Sequence, residues 1–320
     1  MCHNPLSCEE TIQYNRIELI SLSSFTSNLI RNISLHFGSP FKEINTAIIN
    51  LVNSLHQPLH LDPSDLRTTY GGTSYHIGGY TFHEDVAGNF LHLLLIFLCV
   101  ILCFVSTRLK NNQKTKNYFI TVGLGFVILN LLLKWNPWGS RIQLPLFILS
   151  CPVIGHLLSV TVAKRMTNTI LIILILSSTL WIFHNHTRPL LWRKHTLLNT
   201  SRKEQYFLST PGYQSSFNKA AQYLQSKNCS KVGTILEEFF WEYPLWVLTK
   251  NVSQLEIRAM DVQNPSSIYE SKNFKPCAII ENRLGDATEI LVNGQKYIRA
   301  NQFRILNVFT KGVSYSSVFP

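Results

Sequence analysis

Carboxylates are missing from the middle of this 320-residue chain: of its 18 Asp and Glu, none lies between Asp85 and Glu204. So long a gap excludes an ordinary water-facing surface there. It suits a lipid surrounding, where a carboxylate at the bilayer centre costs roughly 2.5–3.5 kcal/mol. Other absences narrow the function. With no G-x-G-x-x-G and no P-loop, the Gly285-Asp286 corner supports no nucleotide site. The seven cysteines form no C-x-x-C or Cys/His zinc pattern. A formal charge of +11 is reached without a block of five or more like charges, which argues against a nucleic-acid arm. That balance suits anionic lipid head groups or phosphate-bearing lipids instead. Residues 1–15 also lack the charged and apolar regions of a signal peptide.

What fills the gap is apolar. Four spans are expected, at about residues 90–105, 118–133, 144–163 and 169–183. Each is near the lower length limit for a hydrocarbon core of about 30 Å. Buried helices of a soluble core are the alternative, disfavoured by four such runs in succession without one carboxylate. Cys99, Cys103 and Cys151 fall in these runs as small apolar fillers. The link between the first two spans carries Arg108, Lys110, Lys114 and Lys116, whereas His83-Glu84-Asp85 precedes the first. The positive-inside rule makes that basic link cytoplasmic, with Lys164-Arg165 on the same side. Residues 1–88, the turn at 135–141 and everything after 186 then lie outside. Arg188, Arg193 and Lys194 pull the other way, but long domains translocate largely regardless of charge. Exporting some 88 residues without a signal is difficult, so either the orientation is inverted or earlier spans are missing; the second is the favoured reading, as in the rear part of a longer polytopic protein.

Two amphipathic helices are expected before the spans. In residues 22–37, Leu22, Phe25, Leu29, Ile30, Ile33 and Phe37 recur at helical spacing opposite Ser24, Ser27, Asn28 and Arg31. Residues 42–55 place Ile44, Ile48, Leu51, Val52 and Leu55 on one face. Both are too polar to span, so they would lie in the interface with the apolar face toward the acyl chains. Packing on a soluble domain is the alternative. Residues 60–82 read as an irregular, aromatic loop. After the spans, a helix near 215–227, a strand near 231–236, an aromatic-rich helix near 237–250 and five further strands make a small α/β domain. Asn293-Gly294 is a type I′ hairpin signal within it. Cys229 and Cys277 would pair if this domain is extracytoplasmic. Sequons at Asn32, Asn199, Asn228 and Asn251 matter only in a glycosylating host. The expected architecture is therefore an α-helical membrane protein of about four transmembrane helices (89–185). An extracytoplasmic segment with interfacial helices (1–88) precedes them, and an extracytoplasmic α/β domain (186–320) follows.

Two motifs carry chemistry. Phe82-His83-Glu84-Asp85-Val86-Ala87-Gly88-Asn89 leads into the first span, and Trp135-Asn136-Pro137-Trp138-Gly139-Ser140-Arg141 leads into the third. Arg141 at head-group depth suits a lipid phosphate, which a guanidinium grips with parallel hydrogen bonds. Trp belts and snorkelling cations give the plainer reading of the second turn. His83-Glu84-Asp85 reads either as a site or as an acidic cap near a helix N-terminus. Asn130 and His156, well inside the spans, read as helix-packing groups. No charge lies mid-span, which disfavours a transporter.

With the interfacial helices and the terminal α/β domain, these motifs resemble the bacterial GT-C integral-membrane glycosyltransferases. The closest branch holds protein O-mannosyltransferases and the aminoarabinose transferases of lipid A. The resemblance covers nearly the whole chain but only the later half of such an enzyme. It implies sugar transfer from a polyprenyl-phosphate donor, at the outer face of the plasma (inner) membrane, to a lipid, glycan or protein acceptor. Glu84 and Asp85 are then candidates for catalysis or acceptor orientation. Arg141, Trp138 and His83 are candidates for binding, and His83 with a carboxylate for holding a divalent metal. The principal carboxylate of such enzymes sits in a first external loop that no stretch here matches. A missing N-terminal half or a partner membrane subunit would supply it. The alternative is a non-catalytic membrane subunit that binds polyprenyl-linked glycans or scaffolds their assembly.

Overall fold

The computed structural model describes residues 13–105, 112–191, 194–237, 240–263, 265–283 and 285–312. The chain divides into two compact units, one of Glu10–Leu198 and one built mainly from Asn199–Pro320.

In the first unit, α1 (Leu22–Ser34) and α2 (Lys42–His56) precede four apolar helices: α3 (Phe90–Val105), α4 (Gln113–Leu132), α5 (Gly139–Thr161) and α6 (Lys164–His184). By length and composition α4, α5 and α6 can each cross a membrane, while α3 is shorter, with 16 residues. Among the described residues three helices are thus long and apolar enough to span, where the sequence leads one to expect about four. None of the residues of α6 is fully buried, and most of its large apolar side chains are exposed. α5 is the central helix. It packs on α3 through Leu95, Cys99, Val153, Ile154, Leu157 and Leu158. Pro145 and Pro152 lie within α5, as prolines do in membrane helices where neighbours satisfy the freed carbonyls.

α1 is inside out. Ser21 caps it reciprocally with Ser24. Its buried residues are Ser24, Ser27, Asn28, Arg31, Asn32 and Ser34, while Leu22 is 80% exposed and Phe25, Leu29, Ile30 and Ile33 are partly open. In α2, Ile44, Leu51 and Leu55 are likewise exposed and only Val52 and His56 are buried. The apolar stripes therefore do not pack on a protein core. Burial of a polar face is tolerated only when its groups are satisfied, and here they are. Arg31 donates to Pro63 O (2.5 Å), Thr69 Oγ1 (2.8 Å), Thr68 O (3.2 Å), Thr68 Oγ1 (3.1 Å) and Asn28 Oδ1 (2.6 Å). Its guanidinium also lies 5.7 Å from the Trp135 ring centroid. Asn32 donates to Asn130 Oδ1, and Gln143 donates to Asn32 Oδ1. His56 meets Ser27 Oγ at 2.9 Å. Asn32 is 3% exposed, so its sequon is closed in this fold.

The C-terminal unit is a six-stranded sheet with helices on one face. Its elements are α7 (Arg202–Gln205), α8 (Pro211–Ser226), β1 (Lys231–Ile235), α9 (Tyr243–Leu248), β2 (Glu256–Ala259), β3 (Ala278–Glu281), β4 (Glu289–Val292), β5 (Gln295–Gln302) and β6 (Asn307–Lys311). The strand order is β2-β1-β3-β6-β5-β4, with β1 parallel to β2 and β3 and the remaining pairs antiparallel. Phe217, Ala220, Ala221 and Leu224 of α8 and Leu245 of α9 cover one face, and Ile279, Tyr297 and Phe309 form the core of the other. Asn293 and Gly294 both have positive φ, at 50° and 73°, as the expected hairpin turn requires. The helix expected over 237–250 shortens to α9, because Pro244 fits only a first turn. Upstream of it, Phe240 stacks on Tyr213 and Phe217. Cys229 and Cys277 are joined in a disulfide.

Candidate functional site

The two motifs meet within the first unit. The 134–141 turn is gripped from both sides. Lys134 N–H donates to Asn15 O (2.7 Å), Trp135 N–H to Thr68 O (2.9 Å), and Tyr70 N–H to Trp135 O (2.8 Å). Lys134 Nζ lies 2.5 Å from Glu18 Oε1. Tyr75 and His76 pack against the Trp135 ring, and Tyr70 meets Trp138 edge-on at 5.8 Å. The irregular loop of residues 60–82 is therefore the clamp that shapes this turn. Three buried polar atoms in the turn, Trp135 Nε1, Asn136 Oδ1 and Ser140 Oγ, have no hydrogen-bond partner among the described residues. Unpaired buried groups are rare, and each calls for a physical reason such as an ordered water, stored strain or a functional role.

Arg141 emerges in the first turn of α5 and bonds Asp85 Oδ1 at 2.6 Å across 56 residues of sequence. The pair is open, with side chains 59% and 37% exposed. Asp85 N–H donates to His83 Nδ1 at 3.2 Å, and the His83 ring sits 5.6 Å from that of His186. Glu84 turns away from this pair. It accepts hydrogen bonds from Thr187 Oγ1 and from Asn185 Nδ2, just beyond α6. Partial burial pushes the Glu84 carboxyl up, but the Thr187 and Asn185 hydrogen bonds and the nearby His83 outweigh it and hold the group below its ordinary value. Tyr80 and Phe82 pack on Trp181 of α6, and His186 N–H donates to Phe82 O, which brings the two segments together. Four of the five residues expected from sequence thus gather around two spots, while the Trp138 ring packs on Tyr70. Arg141, Asp85 and His83 share one, and Trp138 flanks Arg141 in sequence. Glu84 occupies the other. Among the described residues no group of three or more His, Cys, Asp or Glu could hold a metal ion, so no metal chemistry is built on them.

His36 was not singled out by its sequence. It is buried, with Nε2 3.0 Å from Gln143 Oε1 and Nδ1 accepting from Asn89 N–H at 3.0 Å. The ring is therefore neutral, with its proton on Nε2 directed to Gln143. Burial lowers its pKa, the Gln143 hydrogen bond opposing. Gly88 lets the chain pass this close: a Cβ there would sit 3.1 Å from His36 O and 3.2 Å from Leu35 O. His36 lines two cavities. One, of about 210 Å³, is an apolar cleft among Ile33, Leu93, Phe97, Phe119, Phe126 and Leu146. The other, of about 180 Å³, is a recess formed by the 76–81 loop, Val86, Pro137 and Trp181. The only sequence signal was a polar residue ending an amphipathic helix just before Gly38-Ser39-Pro40.

A larger concavity, of about 890 Å³, lies in the C-terminal unit. Its acids are already engaged: Asp261 pairs with Arg283, and Glu270 accepts from the N–H groups of Asp261 and Val262. We therefore place the candidate site in the first unit. Comparison with protein-family models, with characterised proteins and with solved structures finds no match to this chain.

Proposed function

We propose that this chain acts in sugar transfer at a membrane surface, in the manner of GT-C glycosyltransferases, by binding a polyprenyl-phosphate sugar donor. The observation that carries the reading is Arg141, an open guanidinium held in place by Asp85 at the start of a helix able to span a bilayer. Asp85 engages Nη1, which leaves the other N–H donors for phosphate oxygens. Trp138 and His83 flank the phosphate, and the apolar cleft beside His36 receives part of the isoprenoid. The Cys229–Cys277 disulfide supports an extracytoplasmic C-terminal domain, and with it the plasma-membrane topology in which the link at 108–116 is cytoplasmic. Glu84 and Asp85 remain candidates for orienting the acceptor.

A second reading, lipid-linked glycan binding without turnover, is favoured by one observation. Both carboxylates are already partnered, and Glu84 is held ionised by hydrogen bonds that weaken it as a base. The deciding experiment reconstitutes the purified chain in nanodiscs and compares a polyprenyl phosphate with its parent alcohol. Tighter binding of the phosphate by about tenfold or more, erased by Arg141→Ala, is expected from one to two lost charge-assisted hydrogen bonds. Equal binding of the two removes Arg141 from the site. Release of labelled sugar from a polyprenyl-phosphate sugar to an acceptor then separates the transferase from the binder.

A further inference from the structure

The C-terminal unit concentrates positive charge in one groove. Lys227, Lys231, Lys275 and Lys311 line a concavity of about 540 Å³ together with Tyr223, Asn228, Ser230, Cys277 and Thr310, and no lining residue is acidic. All four lysines are exposed, and none forms an ion pair among the described residues. Lys227 has a local use, since it caps the C-terminus of α8, where a cation opposes the helix dipole. The other three have none. Lys231 opens β1, Lys275 precedes β3 and Lys311 ends β6, so three strand ends bring them together. The Cys229–Cys277 bond and the Cys277 N–H to Lys231 O hydrogen bond (2.9 Å) fix that corner. Like charges held together on a rigid frame repel, and an anion relieves that repulsion.

We propose that this groove docks on the phosphate head groups of an anionic lipid surface. The chain itself supplies the argument for that occupant. It carries three helices able to cross a membrane, the last ending at His184, and the C-terminal unit starts at Asn199. Residues 185–198 extend at most ~50 Å, so this domain never leaves the neighbourhood of a lipid surface. A cluster of lysines beside a bilayer is drawn to anionic lipid within a Debye length.

The test is lysine footprinting of the full chain. The protein is reconstituted in phosphatidylcholine nanodiscs and in nanodiscs with roughly 30 mol % phosphatidylglycerol. Brief acetylation is then read by mass spectrometry, residue by residue. Slowing of Lys227, Lys231, Lys275 and Lys311 by about threefold or more in the anionic nanodiscs is expected. The exposed Lys203 and Lys219 of the same domain should be unchanged. Protection should vanish at about 1 M salt, where the screening length falls to about 3 Å. Uniform slowing of all lysines, or none, overturns the proposal. So does protection by inorganic phosphate in neutral nanodiscs without protection by phosphatidylglycerol, which would assign the groove to a soluble anion. The variant K231Q/K275Q/K311Q, checked for disulfide formation and circular dichroism, should lose the difference at Lys227. Retained protection there counts against the groove.

Discussion

Asn32 Nδ2 donates a 2.8 Å hydrogen bond to Asn130 Oδ1, tying the buried polar face of α1 to the last turns of α4 over 98 residues of sequence. Asn130 in turn donates to Phe126 O at 2.7 Å, and its backbone oxygen accepts from Asn28 Nδ2 at 3.0 Å. The two helices are thus joined by amide hydrogen bonds shielded from water, where such bonds are strongest and their loss is most costly. Asn130→Leu leaves Asn32 Nδ2 unpaired and should lower stability by about 1–3 kcal/mol, measured as thermal unfolding in detergent. An unchanged melting temperature would mean that α1 is held by other contacts.

Acid should loosen the same region. Burial lowers the pKa of His36, and also of His56, where the Val52 carbonyl opposes and the Arg31 charge adds to it. Both stay neutral when folded at a pH where the unfolded chain, near its ordinary value of about 6.5, takes up protons. The unfolded state then binds more protons, so stability falls as pH drops below about 6.5 toward the folded pKa values. A melting temperature that declines over this window, and declines less in H36Q/H56Q, is the expected outcome.

Arg141 and Asp85 make an exposed ion pair, which contributes under about 1 kcal/mol to stability. Arg141→Ala and Asp85→Ala should therefore fold and reach the membrane at normal levels. If Arg141→Ala instead melts much earlier, the residue is a structural tie and its loss of binding says nothing about phosphate.

The apolar cleft can be narrowed from one of its glycines. Gly123 lines it, and a Cβ there meets nothing within 4 Å. Gly123→Leu should leave folding intact, because Leu also favours the helix by about 0.5–1 kcal/mol over Gly. Co-purifying polyprenyl phosphate, quantified by mass spectrometry, should fall severalfold. Undiminished lipid would place the isoprenoid elsewhere.

Cys229 and Cys277 close a loop of 48 residues. In the chain-entropy picture that cross-link restrains the unfolded state by about 4 kcal/mol. The double variant C229A/C277A should lower the melting temperature of the C-terminal domain and leave the apolar helices in place. Equal stability with and without reductant would mean the bond does not form in the isolated protein.

Much of the frame is legible in local sequence. An apolar run of 20 residues has one cheap state near lipid, a helix, because every backbone group is satisfied within it. That is why α4, α5 and α6 end within two residues of the expected bounds, although each begins five residues earlier than its apolar run. Strand alternation and Asn293-Gly294 similarly fix β4 and β5. The missing carboxylates and the helical spacing of Leu22, Phe25, Leu29 and Ile33 also announce which faces stay apolar. Only the tertiary structure decides what the polar faces do. Whether Arg31 meets solvent or is buried against Thr68, Thr69 and Trp135 depends on a loop folding back over more than thirty residues. The Arg141 to Asp85 pairing, the turn of Glu84 toward Thr187 and the place of His36 between two cavities are decided the same way. Short-range periodicity selects helices and strands, whereas hydrogen bonds and ion pairs between distant segments depend on where packing brings them, and no window of sequence contains that distance.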